Sequence, residues 1–289
     1  MNEVPLALGH RKLLFGPLRA LGLAVSEYCF ANLYLFRREH SYRLCEQGEL
    51  FVCGVTRDGM EYAMPTRDVR SIPANLLHDV IFAHGMLFPI PEEWLAAFDP
   101  DVCFVESLDA DSDYIHDIAK LTAYSGNRLH SKKNLMNQFV KLYAPQAIPL
   151  TSNFISQARE ILDAWQMDTG ASRGDTDYDA CNEALELYEE LGLCGGIYFA
   201  DTKPAGFVIG EELNQTTFAL HFAKGLRAFL GVNQYMFSQF ASIMPAAYKE
   251  FNFEQDLGIE SLRRSKSSYH PERMVRKFRI SLKKRHSAE

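Results

Sequence analysis

The sequence lacks the paired cysteines that are typical of metal and redox sites. Six cysteines are present, and no two of them form a Cys-x-x-Cys pair: Cys29, Cys45, Cys53, Cys103, Cys181 and Cys194. Zinc knuckles and thioredoxin-type sites need such pairs, so the sequence predicts no metal site. Single cysteines scattered through a chain of this size favour a reducing compartment, and we therefore expect a cytoplasmic protein.

A long apolar run is also missing. The first 25 residues are largely apolar, but charged residues and two prolines, Pro5 and Pro17, interrupt them. No run approaches the roughly 20 apolar residues that a membrane-spanning helix needs. A signal peptide would begin with its positive charge and continue with an unbroken apolar core. We expect a soluble protein, and a peripheral position at the inner face of the membrane stays open as an alternative.

Positive charge is scarce overall but concentrated near the C-terminus. The chain carries a net charge of −7, whereas residues 263–285 contain about ten Lys or Arg against one acid, Glu272. A basic strip on an acidic body indicates a local anionic partner and argues against general binding of DNA. For residues 283–289 a solvated tail is the simpler interpretation.

Strand and turn patterns predict two hairpins, over 49–65 and 196–212. Each hairpin lies between helical patterns, which include 26–44 and 113–124. A third strand is expected after the second hairpin, with Phe218, Leu220 and Phe222 on one face. The two halves of the chain thus share a coarse order of elements, although no sequence repeat supports a duplication.

These patterns predict an α+β chain of two domains. Hydrophobic residues make up 47% of the 289 residues, which is enough for two cores. Segment 144–152 contains two prolines and no periodicity, so it is predicted to be a linker. We place an N-terminal domain at 1–146 and a C-terminal domain at 153–289, each with a mixed, mostly antiparallel sheet flanked by helices.

Residues 217–231 have the order of a diphosphate-binding loop. A strand ends at Phe222 and Ala223, a loop with Lys224, Gly225, Arg227 and Gly231 follows, and a helix then begins. Free N–H groups at a helix start bind phosphate, glycines let the backbone approach it, and cations add charge. As a motif this order is weak, because Gly-containing loops before helices are common.

This order of elements resembles the GNAT acyltransferase fold, whose corresponding loop holds the diphosphate of coenzyme A. Four stretches are more specifically similar to the phosphatidylglycerol lysyltransferase C-terminal-like family: SEYCFANLYLFRREHSYRL, DYIHDIAKLTAYSGNRLHSKKNLMNQF, GGIYFADTKPAGFVIGEELNQTTFALHFAKG and FNFEQDLGIESLRRSKSSYHPERM. The resemblance implies two tandem GNAT-like domains. It also implies a link to enzymes that move an amino acid from aminoacyl-tRNA to a lipid or a cell-wall peptide. The sequence departs from the family at Ala223, where we expect an acid.

Candidate catalytic residues lie on or at the end of two predicted strands and just past the helix that follows the second strand. Asn252 and Glu254 would face the acyl carbonyl, where a carboxylate could accept a proton from an attacking amine. His221 could act as a base if its strand face lines a cleft, and a structural histidine is the alternative. Lys266 and Tyr269 could stabilise an oxyanion or bind phosphate, or Lys266 could belong to a solvated basic face.

Candidate substrate-binding residues lie in the loop GNRLHSKKN. Arg128, His130, Lys132 and Lys133 stand before or at a helix start and suit a phosphate or an RNA backbone. An ordinary helix start with exposed lysines explains the same pattern.

The resulting functional hypothesis is transfer of an acyl or aminoacyl group to an amine or hydroxyl of a lipid or cell-wall precursor. The acceptor would attack the donor directly, without a covalent enzyme intermediate, while backbone groups of 217–223 polarise the carbonyl. The donor is acyl-CoA or aminoacyl-tRNA, and the acidic net charge favours the smaller donor. A catalytically inactive GNAT-like module that binds or senses a ligand is the alternative, which Ala223 favours.

Overall fold

Residues 2–283 are described by a computed structural model, in which they divide into two units. Unit 1 consists of the residues up to Asp113, of Gln255–Leu262 and of the residues from Met274 onward. Unit 2 consists of Tyr114–Glu254 and Arg263–Arg273. The predicted solvated tail lies mainly in 284–289, outside the described residues.

The first part of the chain contributes six strands and three helices. The strands are β1 (Asn2–Pro5), β2 (Arg43–Gln47), β3 (Glu49–Val55), β4 (Glu61–Pro65), β5 (Leu87–Pro91) and β6 (Cys103–Glu106). The helices are α1 (Arg11–Ala20), α2 (Phe30–Leu35) and α3 (Ala74–His84). Short 3-10 helices, such as Glu92–Ala97 after Pro91, connect several of these elements.

The rest of the described chain contributes the remaining strands and helices. The strands are β7 (Asp113–Asp117), β8 (Gln146–Pro149), β9 (Cys194–Ala200), β10 (Lys203–Glu212), β11 (Thr217–Gly225), β12 (Glu250–Asn252), β13 (Arg273–Val275) and β14 (Lys277–Leu282). The helices are α4 (Ile118–Ala123), α5 (His130–Leu142), α6 (Ile155–Thr169), α7 (Tyr178–Glu186), α8 (Val232–Ile243) and α9 (Glu260–Ser267).

The sheet of unit 1 has seven strands in the order β1-β2-β3-β4-β5-β14-β6. Strands β1 to β4 are antiparallel neighbours, and β4 and β5 are parallel. Strand β14 lies between β5 and β6 and is antiparallel to both. Because side chains alternate along a strand, Lys277 and Arg279 of β14 share one face and Phe278 and Ile280 share the other.

The observed division of the chain differs from two consecutive domains at 1–146 and 153–289. Unit 1 uses the C-terminal strand β14 as an internal strand of its sheet, although β14 is far from β5 and β6 in sequence. Strand β7 and helices α4 and α5, which the prediction placed in the first domain, belong mainly to unit 2. Hydrophobic periodicity shows that a segment is a strand, but it carries no information about which distant strand pairs with it.

The sheet of unit 2 also has seven strands, in the order β13-β7-β12-β11-β10-β9-β8. Strands β8 to β11 are antiparallel neighbours, β11 and β12 are parallel, and β12 and β7 are antiparallel. Helix α8 packs on β9, β10 and β11 and against α4 and α5, while α6 packs on β10 and β11. The predicted fold class, mixed and mostly antiparallel sheets flanked by helices, is confirmed.

Three local predictions are wrong. Residues 113–117 form strand β7 rather than the start of a helix, because they pair with β12. Segment 144–152 is not a linker, since β8 within it pairs with β9 at the edge of the sheet. The helical pattern at 26–44 corresponds to a 3-10 turn and to α2, and its last residues enter strand β2.

Candidate functional site

A β-bulge in strand β11 positions the histidine that the sequence indicated. Ile209 and Gly210 are consecutive in β10, but they pair with Phe222 and Leu220, so His221 is the additional residue of β11. A side chain at Gly210 would place its Cβ 1.9 Å from the Ala219 carbonyl oxygen, so the bulge needs glycine there. Bulges redirect side chains and are frequent beside active sites.

The bulge also overturns the predicted alternation of β11. Phe218 and Leu220 belong to the core that surrounds α8, and Ala223 packs against that core. Phe222 is buried, but it is not part of this cluster. The extra residue at His221 therefore reverses which side chains face α8, and the predicted shared face of Phe218, Leu220 and Phe222 is wrong.

Strands β11 and β12 separate next to this bulge. They pair in parallel only over Thr217–Ala219 and Glu250–Asn252. Strand β12 ends at Asn252, while β11 continues to Gly225 beside β10. The pairing of the two parallel strands therefore ends at Ala219 and Asn252, and His221 and Glu254 lie two residues beyond that end.

His221 contacts a carboxylate through each of its ring nitrogens. Its Nδ1 is 2.8 Å from Glu254 Oε1, and its Nε2 is 3.1 Å from Glu211 Oε1. The His221 side chain is fully buried, and that of Glu254 is 12% exposed. A neutral imidazole has one N–H, so both contacts are hydrogen bonds only when the ring or one carboxyl group carries an additional proton. The three groups together can hold or release a proton.

Asn252 shapes the turn that presents Glu254. The Asn252 side chain is buried, and its Oδ1 accepts a hydrogen bond of 2.6 Å from the Glu254 backbone N–H. The φ of Glu254 is +59°, a left-handed conformation that is uncommon for residues other than glycine. The surrounding contacts hold this strained residue with its carboxylate on His221. Asn252 is thus a positioning residue for Glu254.

Lys224 is paired within the protein. Its Nζ lies 2.6 and 2.8 Å from the two carboxylate oxygens of Asp177 and 3.7 Å from the centre of the Trp165 ring. The lysine is 4% exposed. Its charge is therefore already balanced by a carboxylate, which weakens its predicted role as a phosphate ligand.

The other residues of the predicted donor loop divide into accessible and buried positions. Arg227 is exposed, and its Nη1 donates to the Asp168 carbonyl at 3.1 Å. Gly225 and Gly231 are buried, and a Cβ at Gly231 would lie 2.1 Å from the Leu135 carbonyl oxygen. Gly231 has a φ of +85° and precedes α8. These glycines allow the close packing of neighbouring backbone, which explains them without a ligand.

Two groups of predicted site residues do meet, at the start of α8. Lys132 Nζ donates to Ser268 Oγ at 2.7 Å and lies 4.1 Å from the centre of the Tyr269 ring. Gln234, in the first turn of α8, donates to the buried Tyr269 hydroxyl at 2.9 Å. Burial lowers the pKa of Lys132, as expected for an ammonium group that is partly removed from water.

Basic side chains surround this cluster. Arg128, His130 and Lys133 are exposed where α5 begins, and no acid stands in the first turn of that helix. Lys266 is half-buried in α9. The neighbouring His116 has a pKa lowered to about 3, mainly by burial and also by the charge of Lys266. Cations at a helix N-terminus oppose the helix dipole, so these side chains do not stabilise α5 through that dipole.

Sequence reasoning missed Glu211, Asp177 and Trp165. Glu211 is buried in β10, and its charge within an apolar strand was the signal that could have identified it.

Residues 170–174 match the Gly-x-Ser-x-Gly pattern of hydrolases, but they follow helix α6 instead of a strand, and Ser172 donates to Asp175. This is not the strand–turn–helix context of a nucleophile elbow.

One group of side chains in unit 1 has the chemistry of metal ligands. Cys45 and Cys53 form a disulfide between β2 and β3, and His84 Nε2 is 3.7 Å from Cys53 Sγ. Their potential ligand atoms lie within 4.8 Å of one another. The predicted absence of a metal stays a prediction.

Among residues 2–283, no helix has the length and apolar character to cross a bilayer.

Comparison with known proteins gives the family. The family model of the phosphatidylglycerol lysyltransferase C-terminal region matches residues 18–281. The chain belongs to this family. No curated protein sequence matches it. The family thus relates this member to a transferase.

Solved structures show the same fold. A conserved protein of unknown function from Bacteroides thetaiotaomicron VPI-5482 has a TM-score of 0.83 and 23% identity, over 98% of this chain and 100% of that one. L-PGS from Bacillus licheniformis has a TM-score of 0.56 and 14% identity, over 86% and 90%. FemX has a TM-score of 0.59 and 7% identity, over 98% of each chain. These three proteins accordingly share the fold of this family member.

Proposed function

We propose that this family member transfers an aminoacyl group from aminoacyl-tRNA to a hydroxyl or amine acceptor, using unit 2. The observation that carries the proposal is the separation of β11 and β12, with the His221–Glu254 pair just beyond it. Past Ala219, β11 has no ladder pairing with β12, so its main-chain groups on that side could bind an extended donor. A buried proton-holding pair beside it can serve the acceptor.

The reaction needs no covalent enzyme intermediate. The acceptor oxygen or nitrogen attacks the ester carbonyl carbon of the donor, and a bond forms there as the bond to the ribose oxygen breaks. The Glu254–His221 pair takes the acceptor's proton and returns it to the ribose oxygen as that oxygen leaves. Backbone N–H groups of β11 would stabilise the developing oxyanion. Asn252 and the bulge hold the pair in place.

The basic surface favours tRNA over coenzyme A as the donor. Arg128, His130 and Lys133 are exposed at the start of α5, and Lys132 and Lys266 are half-buried. An RNA backbone presents enough phosphates to contact several of these basic residues, whereas one diphosphate does not. Lys224, the cation expected to hold a diphosphate, is occupied by Asp177. The leaning towards the smaller donor, which rested on net charge, is therefore not retained in this proposal.

The family name supplies the acceptor class. Phosphatidylglycerol lysyltransferase acts on a lipid headgroup, and we extend a hydroxyl-bearing lipid to this member as the first acceptor to test. Such an acceptor implies contact with the inner face of the membrane. An amine of a cell-wall precursor is the second acceptor, and acyl-CoA is the second donor.

The test is transfer by the purified full chain. We expect radiolabelled amino acid to move from aminoacyl-tRNA to phosphatidylglycerol vesicles. Glu254→Gln should reduce the rate constant at saturating substrate about 10²-fold or more, because it removes the proton acceptor. The tRNA affinity of Glu254→Gln should stay unchanged. Transfer from acetyl-CoA only, or full activity in Glu254→Gln, would contradict the proposal.

Donor binding is tested separately from chemistry. Filter binding should detect tRNA with an affinity that falls steeply as salt rises, since each phosphate contact releases counterions. Lys133→Glu should weaken binding, and Lys203→Glu, an exposed lysine of β10, is the matched control. Binding without any transfer would favour the non-catalytic module that Ala223 indicated.

A further inference from the structure

Unit 1 contains a pocket of about 210 Å³ that the proposed transfer does not use. Its wall combines carboxylates with aromatic rings, and the residues that matter are Glu27, Asp58, Asp111, Tyr42, Tyr62 and Phe88. The volume is below the roughly 300–1,000 Å³ of pockets for drug-sized ligands. A ligand of this pocket is therefore a small molecule.

Glu27, which lines the pocket, shares a buried lysine with a second carboxylate. Lys277 Nζ lies 2.6 Å from Glu27 Oε2 and 2.6 Å from Asp113 Oδ1. Lys277 and Asp113 are completely buried, while Glu27 lines the pocket. Ser26 Oγ and Gln255 Oε1 also lie near the ammonium group, at 3.1 and 2.9 Å. The ionised group of three carries one negative charge in excess.

The wall repeats this arrangement with an arginine. Arg279 shares the strand face of Lys277, and its Nη1 lies 2.7 Å from Asp58 Oδ2. Its Nε lies 2.8 Å from Asp111 Oδ2, and its guanidinium carbon is 5.3 Å from the centre of the Phe88 ring. Again one cation faces two carboxylates. Arg57, on the exposed rim, is the remaining cation among the lining residues.

Aromatic rings complete the pocket. The Tyr62 hydroxyl donates to the Tyr42 hydroxyl at 3.0 Å, and the Tyr62 ring packs edge-on against Phe88. His40 stacks on Tyr42, and its Nδ1 lies 2.9 Å from the Val55 carbonyl oxygen. That nitrogen must therefore donate, and burial lowers the pKa of His40, so the ring is neutral and its Nε2 can accept.

We propose that this pocket binds a small primary ammonium ion carried on a short apolar chain. Excess negative charge on partly buried carboxylates attracts a cation more strongly than it would at a fully exposed surface. Aromatic ring faces favour the same charge. A primary ammonium group can donate hydrogen bonds to the carboxylate and carbonyl oxygens and to the His40 ring nitrogen. A quaternary ammonium has no N–H and could not make these bonds. The short chain would lie on the rings.

The proposal is tested by calorimetric titration of the full chain at pH 8 with n-butylamine, which is protonated there. Butan-1-ol and sodium butyrate are the matched neutral and anionic probes. We expect saturable binding of butylammonium at one site, and binding of butan-1-ol weaker by about tenfold or more. Equal binding of butan-1-ol, or preferred binding of butyrate, would overturn the proposal.

Variants then locate the site. Glu27→Gln and Asp111→Asn each remove one excess negative charge and should weaken butylammonium binding about tenfold. Asp58→Asn covers the case in which the buried changes unfold the protein, because the Asp58 side chain is 52% exposed. Glu106→Gln, an exposed carboxylate of β6 outside the pocket, is the control. Equal affinities in Asp58→Asn and Glu106→Gln, with both proteins folded, would overturn the assignment.

Discussion

Lys224 illustrates how a buried partner changes the use of a single residue. In the sequence it is a cation beside glycine and before a helix, which indicates phosphate binding. In the fold it is held between the Asp177 carboxylate and the Trp165 ring. A lysine in this position contributes to stability through both neighbours, and neither neighbour is close to it in sequence.

This interpretation predicts a stability cost at Asp177. Asp177→Asn leaves the 4%-exposed Lys224 ammonium without its counter-charge and should reduce the free energy of unfolding by about 1–3 kcal/mol. Urea unfolding measures the change. Lys224→Met in the Asp177→Asn background should recover part of the loss, because it removes the unpaired charge. If Asp177→Asn instead leaves stability unchanged and lowers tRNA affinity, Lys224 and Asp177 belong to the donor site.

Single residues of the site were predictable to an uneven degree. Glu254 was recognised as a candidate proton acceptor because GNAT-like sites place polar groups at such a strand end, and His221 because it was expected on the strand face opposite Phe218 and Leu220. Their contact at 2.8 Å and the second carboxylate of Glu211 depend on three segments meeting in space. The roles proposed for all the candidate site residues stay predictions until transfer is measured.

At the scale of elements, the bulge in β11 is the feature that a strand pattern cannot reveal. Alternation in the sequence places Phe222 with Phe218 and Leu220. One additional residue at His221 reverses that alternation, and the reason lies in the pairing with β10. The glycine opposite the bulge, Gly210, was visible in the sequence, and a glycine inside a strand is a sign of a bulge.

The bulge yields a prediction at Gly210. Gly210→Ala places a Cβ 1.9 Å from the Ala219 carbonyl oxygen, so the strands must move, at a cost of about 1–3 kcal/mol in unfolding free energy. Any transfer activity should fall further than stability predicts, because His221 shifts. Gly174→Ala, which has open space around it, is the control. Wild-type stability in Gly210→Ala would show that the bulge is not as tight as described.

Hairpins and amphipathic helices were predicted well, since their signals are local. Strands β7 and β8 were not. Residues 113–117 have acids at both ends and become a strand only through pairing with β12. Strand β8 is bordered by prolines, which edge strands tolerate because one side needs no donors. Both errors have the same origin, since the partner strand is distant in sequence.

At the scale of the whole molecule, the buried charges of unit 1 should make stability depend on pH. Burial, opposed by Lys277 and reinforced by Asp113, raises the pKa of Glu27 to about 7. The folded protein then keeps a proton on Glu27 at pH values where the unfolded chain has already lost it. The contribution of Glu27 to the free energy of unfolding is therefore complete at acidic pH and is lost as the pH rises through 7. The nearby Tyr42 hydroxyl does not titrate in this range, because burial raises its pKa.

Through Glu27, the free energy of unfolding should fall by at most about 3 kcal/mol between pH 5 and pH 8. Unfolding by urea at both values, for the wild type and for Glu27→Gln, isolates this contribution. The wild type should lose more stability than the variant as the pH rises. The matched variant Glu106→Gln should behave as the wild type does. An equal pH dependence in Glu27→Gln would mean that Glu27 is ionised throughout.

The discontinuous units give the last prediction. If the chain consisted of consecutive domains, a fragment of residues 1–146 would fold. In the described structure, β14 lies between β5 and β6, so this fragment lacks an internal strand and leaves hydrogen-bonding groups of both neighbours unpaired. We expect it to be unfolded or aggregated. A chain of residues 1–113 joined by a flexible linker to 255–283 restores β14 and should unfold cooperatively with strand content in circular dichroism. Cooperative unfolding of the 1–146 fragment would instead show that residues 1–146 form a domain of their own. The same comparison tests the pocket of unit 1. Only the joined chain restores the lining residues Gln255, Leu257 and Arg279 beside Glu27 and Asp111, so only it should bind butylammonium.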